Sequence, residues 1–253
     1  MNISRRETSA KVRGIERTMI REFNIPRFEL SDEEANMVSL PQRCVTRNES
    51  IARLLTGLGH AAVVIDCYAC VGGDTLSFAK MAEEYGLRLE IMAVQCSSSD
   101  DMGRVERLRE HVRLYFRHNS TAGDYAKVLV FNTPVQKFIM ESLEKPIDLL
   151  YLDPVWHLPE GFDLSTNHGT DVDPSPATVS FITSIQNDVF GPMLEKGCPR
   201  PGLICLKAPT PFVEFSLALF NVSPFVRGYT LRESIPFRDR HGVVRFFYHI
   251  LCK

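Results

Sequence analysis

The sequence predicts an α/β domain built on a mostly parallel, doubly wound sheet that closes with an antiparallel β-hairpin. Three observations carry this. Strand-like and helix-like runs alternate from about residue 61 to residue 207, a Gly-Gly turn at Gly72-Gly73 follows the first apolar run, and two β-rich runs, 226–235 and 243–251, end the chain. Between those last two runs stands Pro236-Phe237-Arg238-Asp239-Arg240-His241-Gly242, a hairpin signal.

Size and composition agree with one large core. At 253 residues, with 44% hydrophobic and 24% charged residues, the chain has ordinary globular composition, which excludes a fibrous repeat or wholesale disorder. A formal net charge of -2 is too small to imply a nucleic-acid partner through bulk electrostatics, so any polyanion site has to come from a local cluster of Lys and Arg. The seven cysteines are scattered, and no apolar secretory core opens the chain. Both features point to a reducing intracellular compartment, nucleus or cytoplasm, rather than to a disulfide framework. The longest apolar runs, 61–65 and 147–152, fall far short of the roughly 18 residues of a membrane span, so no membrane partner is expected.

Residues 1–43 read as a basic N-terminal arm and lead-in, and 44–253 as the domain proper. From 1 to 27, seven Arg and Lys residues stand against three Glu, which fits a solvated helix, a frayed terminus or a surface that touches RNA phosphates. After the acidic patch 31–34, the stretch 45–51 opens a helix, with Thr46 or Asn48 as N-cap, Ile51, Leu54 and Leu55 on one face, and Gly57 or Gly59 as its stop. Ala61-Ala62-Val63-Val64-Ile65 is continuously apolar and β-branched, as a strand covered on both faces requires. Helix 75–85, strand 88–95, helix 100–116, strand 127–132, helix 135–143 and strand 147–153 follow. A polar connection at 157–176, long enough to be a substrate cover, leads to helix 177–194, strand 202–207 and helix 211–220. A dinucleotide-binding dehydrogenase would continue through another helical crossover. Five alternating units ended by a hairpin fit the class I methyltransferase sheet instead.

In such a sheet S-adenosylmethionine lies against the carboxyl ends of the strands, where the strand order reverses. The turn Asp66-Cys67-Tyr68-Ala69-Cys70-Val71-Gly72-Gly73-Asp74 falls there. Gly72 and Gly73 remove side chains, permit positive φ and aim the free amides of the next helix at the methionine carboxylate, while Asp66 would accept from the ammonium. The Cys67–Cys70 spacing lacks a second Cys or His pair, so neither metal nor redox chemistry is assigned to it. Gln95 stands where an acid would take both ribose hydroxyls, and an amide accepts only through its carbonyl oxygen. Asn132, ending the third strand, fits either a contact to the adenine amine or a helix cap. The fourth strand ends Leu152-Asp153-Pro154-Val155-Trp156. Asp153 and the Pro154 carbonyl would accept from an exocyclic amine, and Trp156, the one Trp of the chain, offers a stacking platform or a core aromatic.

These pieces resemble the trimethylguanosine synthase family of RNA cap methyltransferases, which methylate the guanine N2 amine of a 7-methylguanosine cap. Cys44-Val45-Thr46-Arg47-Asn48-Glu49-Ser50-Ile51-Ala52 is similar to that family's Ser-Val-Thr-Pro-Glu-x-Ile-Ala helix. Ile65 to Thr75 is similar to its Asp-Ala-Phe-Cys-Gly-Val-Gly-Gly-Asn-Thr turn, and Asp153-Pro154-Val155-Trp156 to its Asp-Pro-Pro-Trp. The resemblance implies S-adenosylmethionine as cofactor, held by Asp66, Cys67, Ala69, Gly72, Gly73, Thr75, Gln95 and Asn132, and capped RNA as partner. It implies catalysis by positioning, with Trp156 stacked on the methylated guanine and Asp153 and Pro154 orienting its amine. The chain departs from the pattern at Gln95, at Val155 and at Arg47-Asn48.

Two other functions fit the residues. Ribose 2′-O methylation would use Asp153 and Lys207 as the middle pair of a Lys-Asp-Lys-Glu set, although the last strand, Val243-Val244-Arg245-Phe246-Phe247-Tyr248, carries no Glu. A cap- or RNA-binding scaffold without turnover is suggested by Gln95 and Val155. Lys207, Arg238 and Arg240, with Arg245, are candidate contacts to a cap triphosphate, against the alternative of a solvated hairpin tip.

Overall fold

A computed structural model describes residues 9–96, 103–154, 182–208, 223–238 and 242–253. Among these residues seven strands form one sheet: β1 Ala62–Asp66, β2 Leu89–Gln95, β3 Ala126–Asn132, β4 Leu149–Leu152, β5 Leu203–Ala208, β6 Thr230–Arg238 and β7 Val244–Cys252. Their order is β3-β2-β1-β4-β5-β7-β6, parallel except for β7, which runs antiparallel to both β5 and β6. The order reverses between β1 and β4, so the carboxyl ends of those strands border a crevice. The expected fold class is the one observed.

The burial of β1 explains its composition. All five residues are covered, because one face packs against helices α3 (Pro41–Leu55) and α4 (Gly73–Tyr85) and the other against α7 (Val135–Ser142) and the helical segment that ends at Lys196. Only a continuous apolar run satisfies two such faces.

Several boundaries differ from expectation. The opening helix begins at Pro41, not near 45, with Pro at its first position and Leu40 as an N-cap that makes no side-chain bond. The fixed φ of proline pre-organises this first turn, whereas Asn48, proposed as a cap, lies mid-helix and is buried. The helix stops at Leu55, where the Thr56 hydroxyl donates to the Ala52 carbonyl at 2.8 Å. Helix α5 runs Gly103–His118, and a short helix, α6 (Ala122–Tyr125), precedes β3. Past Ile185 the expected amphipathic helix opens into a π-helical turn, Gln186–Phe190, before the α-helix Gly191–Lys196. Strand-like Val226 belongs to a 3-10 turn, Pro224–Val226, and is buried with Phe225. The connection at 157–176 and the helix at 211–220 lie outside the described residues.

The N-terminal segment is more than a solvated helix. Ser9 accepts from the Val12 amide at 3.3 Å and caps α1 (Ala10–Phe23), and Asn24 ends it in a left-handed conformation. Val12, Met19 and Phe23 share one buried face that joins the core over α4. Each such side chain contributes about 1.5–3 kcal/mol on burial.

Candidate active site

Asp66 ends β1 and is fully buried. Its Oδ2 accepts from the Thr75 hydroxyl at 2.7 Å, and its Oδ1 has no hydrogen-bond partner. Burial, and then Asp74 nearby, push its carboxyl up to about 7. The turn after it is tied to both neighbouring strands, the Cys67 amide donating to the Tyr151 carbonyl and the Ala69 amide to the Val94 carbonyl, each at 3.1 Å.

The two glycines of the turn are required by the protein's own packing. Gly72 has φ 98°, and a Cβ there would meet Leu108 Cδ1 at 2.8 Å. A Cβ on Gly73 would meet Val38 Cγ2 at 2.8 Å and the Ser39 carbonyl at 2.9 Å. The room they leave is therefore filled by α5 and by the lead-in segment. Cys70 stands where the similar turn has glycine and keeps the left-handed backbone, φ 51°. Its amide donates to Gln95 Oε1 at 2.7 Å, so the acceptor expected for the ribose is engaged in holding the turn.

A cavity of about 320 Å³ opens at the carboxyl ends of β1, β2, β4 and β5. It brings together Ala69, Gly73, Gln95, Asp153, Pro154 and Lys207 of the residues singled out by sequence. Asp66, Cys67, Gly72 and Thr75 are buried and do not line it. A second cavity of about 240 Å³ shares Tyr68 and Gln95 with the first and includes Cys67 in its wall. Asn132 is exposed and lines neither. Arg238 is exposed and donates to the Gly242 carbonyl at 2.9 Å across the hairpin tip. Trp156 and Arg240 lie outside the described residues.

Lys207, a candidate phosphate contact and a candidate partner of Asp153, lines the cavity and is held by two side chains. Its Nζ donates to Asp153 Oδ2 at 2.5 Å and to Ser39 Oγ at 3.0 Å, and lies 5.0 Å from the centre of the Phe246 ring. Burial raises the Asp153 carboxyl to about 6 against the pull of Lys207. Beside this pair Arg47, fully buried, bonds Asp74 and Asn48 and sits between the rings of Phe78, Tyr151 and Tyr248 at 4.5, 4.9 and 5.1 Å. Burial opposes ionisation of Asp74, but Arg47 and Lys207 hold it below the usual carboxylate range.

The lead-in segment is latched to this site. Glu34, fully buried, pairs with Arg107 at 2.5 Å, and its Oε2 accepts from the Ser31 amide at 2.8 Å while Ser31 Oγ accepts from the Glu34 amide at 3.1 Å, a reciprocal cap. His111, stacked 3.8 Å from Phe28, donates through Nδ1 to the Val71 carbonyl of the turn and accepts at Nε2 from the Glu29 amide. Ser39, Asp74 and Arg47 were not singled out as site residues by sequence. The available signal was a pair of changes against the similar motifs, Asp74 in place of Asn and Arg47-Asn48 near the place of Pro.

No protein-family model matches the sequence, and no curated protein does either. Solved structures do match. The delta-N METTL16 MTase domain is 13% identical with a TM-score of 0.57, covering 96% of this chain and 95% of that one. Human methyltransferase 10 domain containing protein is 12% identical with a TM-score of 0.52, covering 96% and 95%. The chain has the class I methyltransferase fold. Within that fold the cavity occupies the switch point of the strand order, between the Asp66–Gly73 turn and the Asp153–Pro154 strand end. Among the described residues no helix is long and apolar enough to cross a membrane, and no group of three His, Cys, Asp or Glu side chains is placed to hold a metal ion.

Proposed function

We propose that the chain is an S-adenosylmethionine-dependent methyltransferase acting on RNA, with the guanine N2 amine of a 7-methylguanosine cap as its acceptor. The observation that carries this is the opening of the Asp66–Gly73 turn and the Asp153–Pro154 strand end onto one cavity. The residues present fit the cofactor on one further point, the orphaned Oδ1 of Asp66, which lies buried behind the turn and offers the ammonium group a negative charge rather than a contact in the cavity wall.

When bound, S-adenosylmethionine supplies a methyl group already activated on a sulfonium. The chain's own residues then bind and orient. The α4 amino terminus has no side-chain cap, so its first amides are available to a carboxylate. Gln95 keeps one acceptor lone pair beyond its bond to Cys70 for a ribose hydroxyl. Asp153 and the Pro154 carbonyl accept from the acceptor amine and aim its nitrogen, and Trp156 stacks on the base. Arg238, Arg240 and the basic N-terminal arm supply phosphate contacts. Such positioning acts chiefly through entropy, and no strong base is required.

A second acceptor, a ribose 2′-hydroxyl, is favoured by the Lys207–Asp153 pair at 2.5 Å. It is disfavoured by Tyr248, which stands opposite Lys207 on β7 where a Glu would complete that chemistry. Methyl transfer to capped, 2′-O-blocked and uncapped RNA separates the two acceptors. The cap-N2 function predicts transfer that needs the 7-methylguanosine and survives the 2′-O block. Cofactor binding with no transfer to any cap overturns it, and absence of cofactor binding leaves an RNA-binding scaffold.

A further inference from the structure

Two residues of the cavity wall have no task in the cofactor reading. Lys207, on β5, has a side chain only 8% exposed. Its Nζ donates to acceptors on two different elements, Asp153 Oδ2 just past the end of β4 at 2.5 Å and Ser39 Oγ of the lead-in at 3.0 Å. All three residues line the cavity. Ser39 is buried, and Gly73 makes room for it, since a Cβ there would stand 2.9 Å from the Ser39 carbonyl. One ammonium thus ties the strand end that faces the acceptor to the segment that packs on the cofactor turn.

We propose that Lys207 and Ser39 are positioning residues for methyl transfer: Lys207, steadied by Ser39, holds Asp153 ionised and turned so that its Oδ1 is presented to the acceptor amine. The inference rests on the amine reading above, and it gives the lysine a task other than contact with phosphate or activation of a hydroxyl. A carboxylate that accepts from an amine has to be charged and has to keep one oxygen for it. A charge-assisted bond to Oδ2 meets both needs, because it favours the ionised form and fixes the plane of the group. Ser39 supplies the ammonium with a second acceptor, which limits the directions in which the lysine can swing.

The charged groups facing Asp153 are Lys207 of β5, Arg47 of α3, Asp74 of α4 and Asp66 of β1. The phenols of Tyr151 and Tyr248 and the thiols of Cys70 and Cys205 also face it, and burial keeps them neutral. Without the ammonium, Asp153 would be left enclosed beside two other acids with only Arg47 in opposition, and it would take up a proton at higher pH. A protonated Asp153 donates where the amine needs an acceptor.

Methyl transfer by the full chain to 7-methylguanosine-capped RNA, followed from about pH 5 to about pH 9 in the parent, Lys207→Met, Lys207→Arg and Ser39→Ala, tests this. Cofactor affinity is measured by calorimetry on the same samples. In the parent, kcat is expected to fall on the acid side near the Asp153 value of about 6. Lys207→Met is expected to lower kcat about tenfold or more and to move that acid limb to higher pH, with cofactor affinity within about threefold of the parent. Lys207→Arg, which keeps the charge, is expected to restore the limb and part of the rate. Ser39→Ala is expected to lower kcat by about threefold or more with the limb in place. A limb that stays where it is in Lys207→Met overturns the proposal, and so does a loss of cofactor affinity large enough to account for the loss of rate. Ser39→Ala at the parent rate overturns it as well, a measurement that stands even if Lys207→Met fails to fold. Transfer by the parent that neither residue affects removes this inference and leaves the cap reading intact, whereas no transfer to any capped RNA removes both.

Discussion

Arg47 and Asp74, 27 positions apart, form a buried ion pair at the edge of the cavity, with the guanidinium enclosed by three aromatic rings. The pair fastens the opening helix to the first turn of α4, the turn that faces the cavity. Removing one member of a buried pair strands the other, at a cost of about 3–5 kcal/mol, while replacing both with apolar or neutral groups is far milder. Arg47→Met is therefore expected to lose stability on that scale in urea unfolding, and Arg47→Met with Asp74→Asn to recover most of it. A double variant no better than Arg47→Met would show that the arginine acts through packing alone.

Cys70 holds a left-handed backbone at φ 51° where glycine would carry no penalty. A non-glycine residue there costs roughly 1–2 kcal/mol, offset in part by the flexibility glycine adds to the unfolded chain. Cys70→Gly is expected to raise the melting temperature by about 2–4 °C. Gln95→Ala, which removes the acceptor for the Cys70 amide, is expected to cost about 1 kcal/mol.

Asp66 gives stability an inverted dependence on pH. Its folded pKa, raised to about 7 by burial, lies above the unfolded value of about 3.9, so the folded state holds the proton longer. The folded chain binds more protons across that window, and this contribution weakens as pH rises from about 4 to about 7. Asp153, raised to about 6, adds the same sign over the lower part of the range. Urea unfolding at about pH 5 and about pH 7.5 should show Asp66→Asn gaining stability relative to the parent chain at the higher value. An equal difference at both values would contradict the assignment.

His111 acts in the opposite direction. It must be neutral to accept from the Glu29 amide, and burial lowers its pKa from the usual 6.5. The unfolded chain takes the proton first, so the contribution is complete above about pH 6.5 and is lost as pH falls from there towards the lowered folded value. Hydrogen exchange at Glu29 and its neighbours in the lead-in should therefore accelerate at about pH 5.5 relative to about pH 7.5, after correction for intrinsic rates. His111→Gln should expose the same amides without the pH dependence.

Much of the fold was legible because local composition and tertiary demand coincide. The run Ala62 to Ile65 suits only a strand covered on both faces, and the Gly72-Gly73 turn and the Asp153-Pro154 strand end mark where strands stop. What escaped depends on distant partners. Seven basic residues in 1–27 suggest solvent, yet Val12, Met19 and Phe23 on the same helix dock on the core. Asp153, 54 positions away, could be set beside Lys207 from the ribose-methylation pattern, but Ser39, 168 positions away, carries no signal that it also binds that lysine. Asp74 looks like a helix-start acid, and only its pairing with Arg47 makes it part of the site.

The central claim is that the cavity between the Asp66 turn and Asp153 holds S-adenosylmethionine. Its most direct test is calorimetric titration of the full chain with that cofactor at about pH 8. The structure predicts saturable one-to-one binding, weakened in Asp66→Asn through loss of a negative charge buried beneath the turn that borders the cavity. A folded chain that gives no binding heat at any temperature tried, or an affinity indifferent to Asp66, would contradict it.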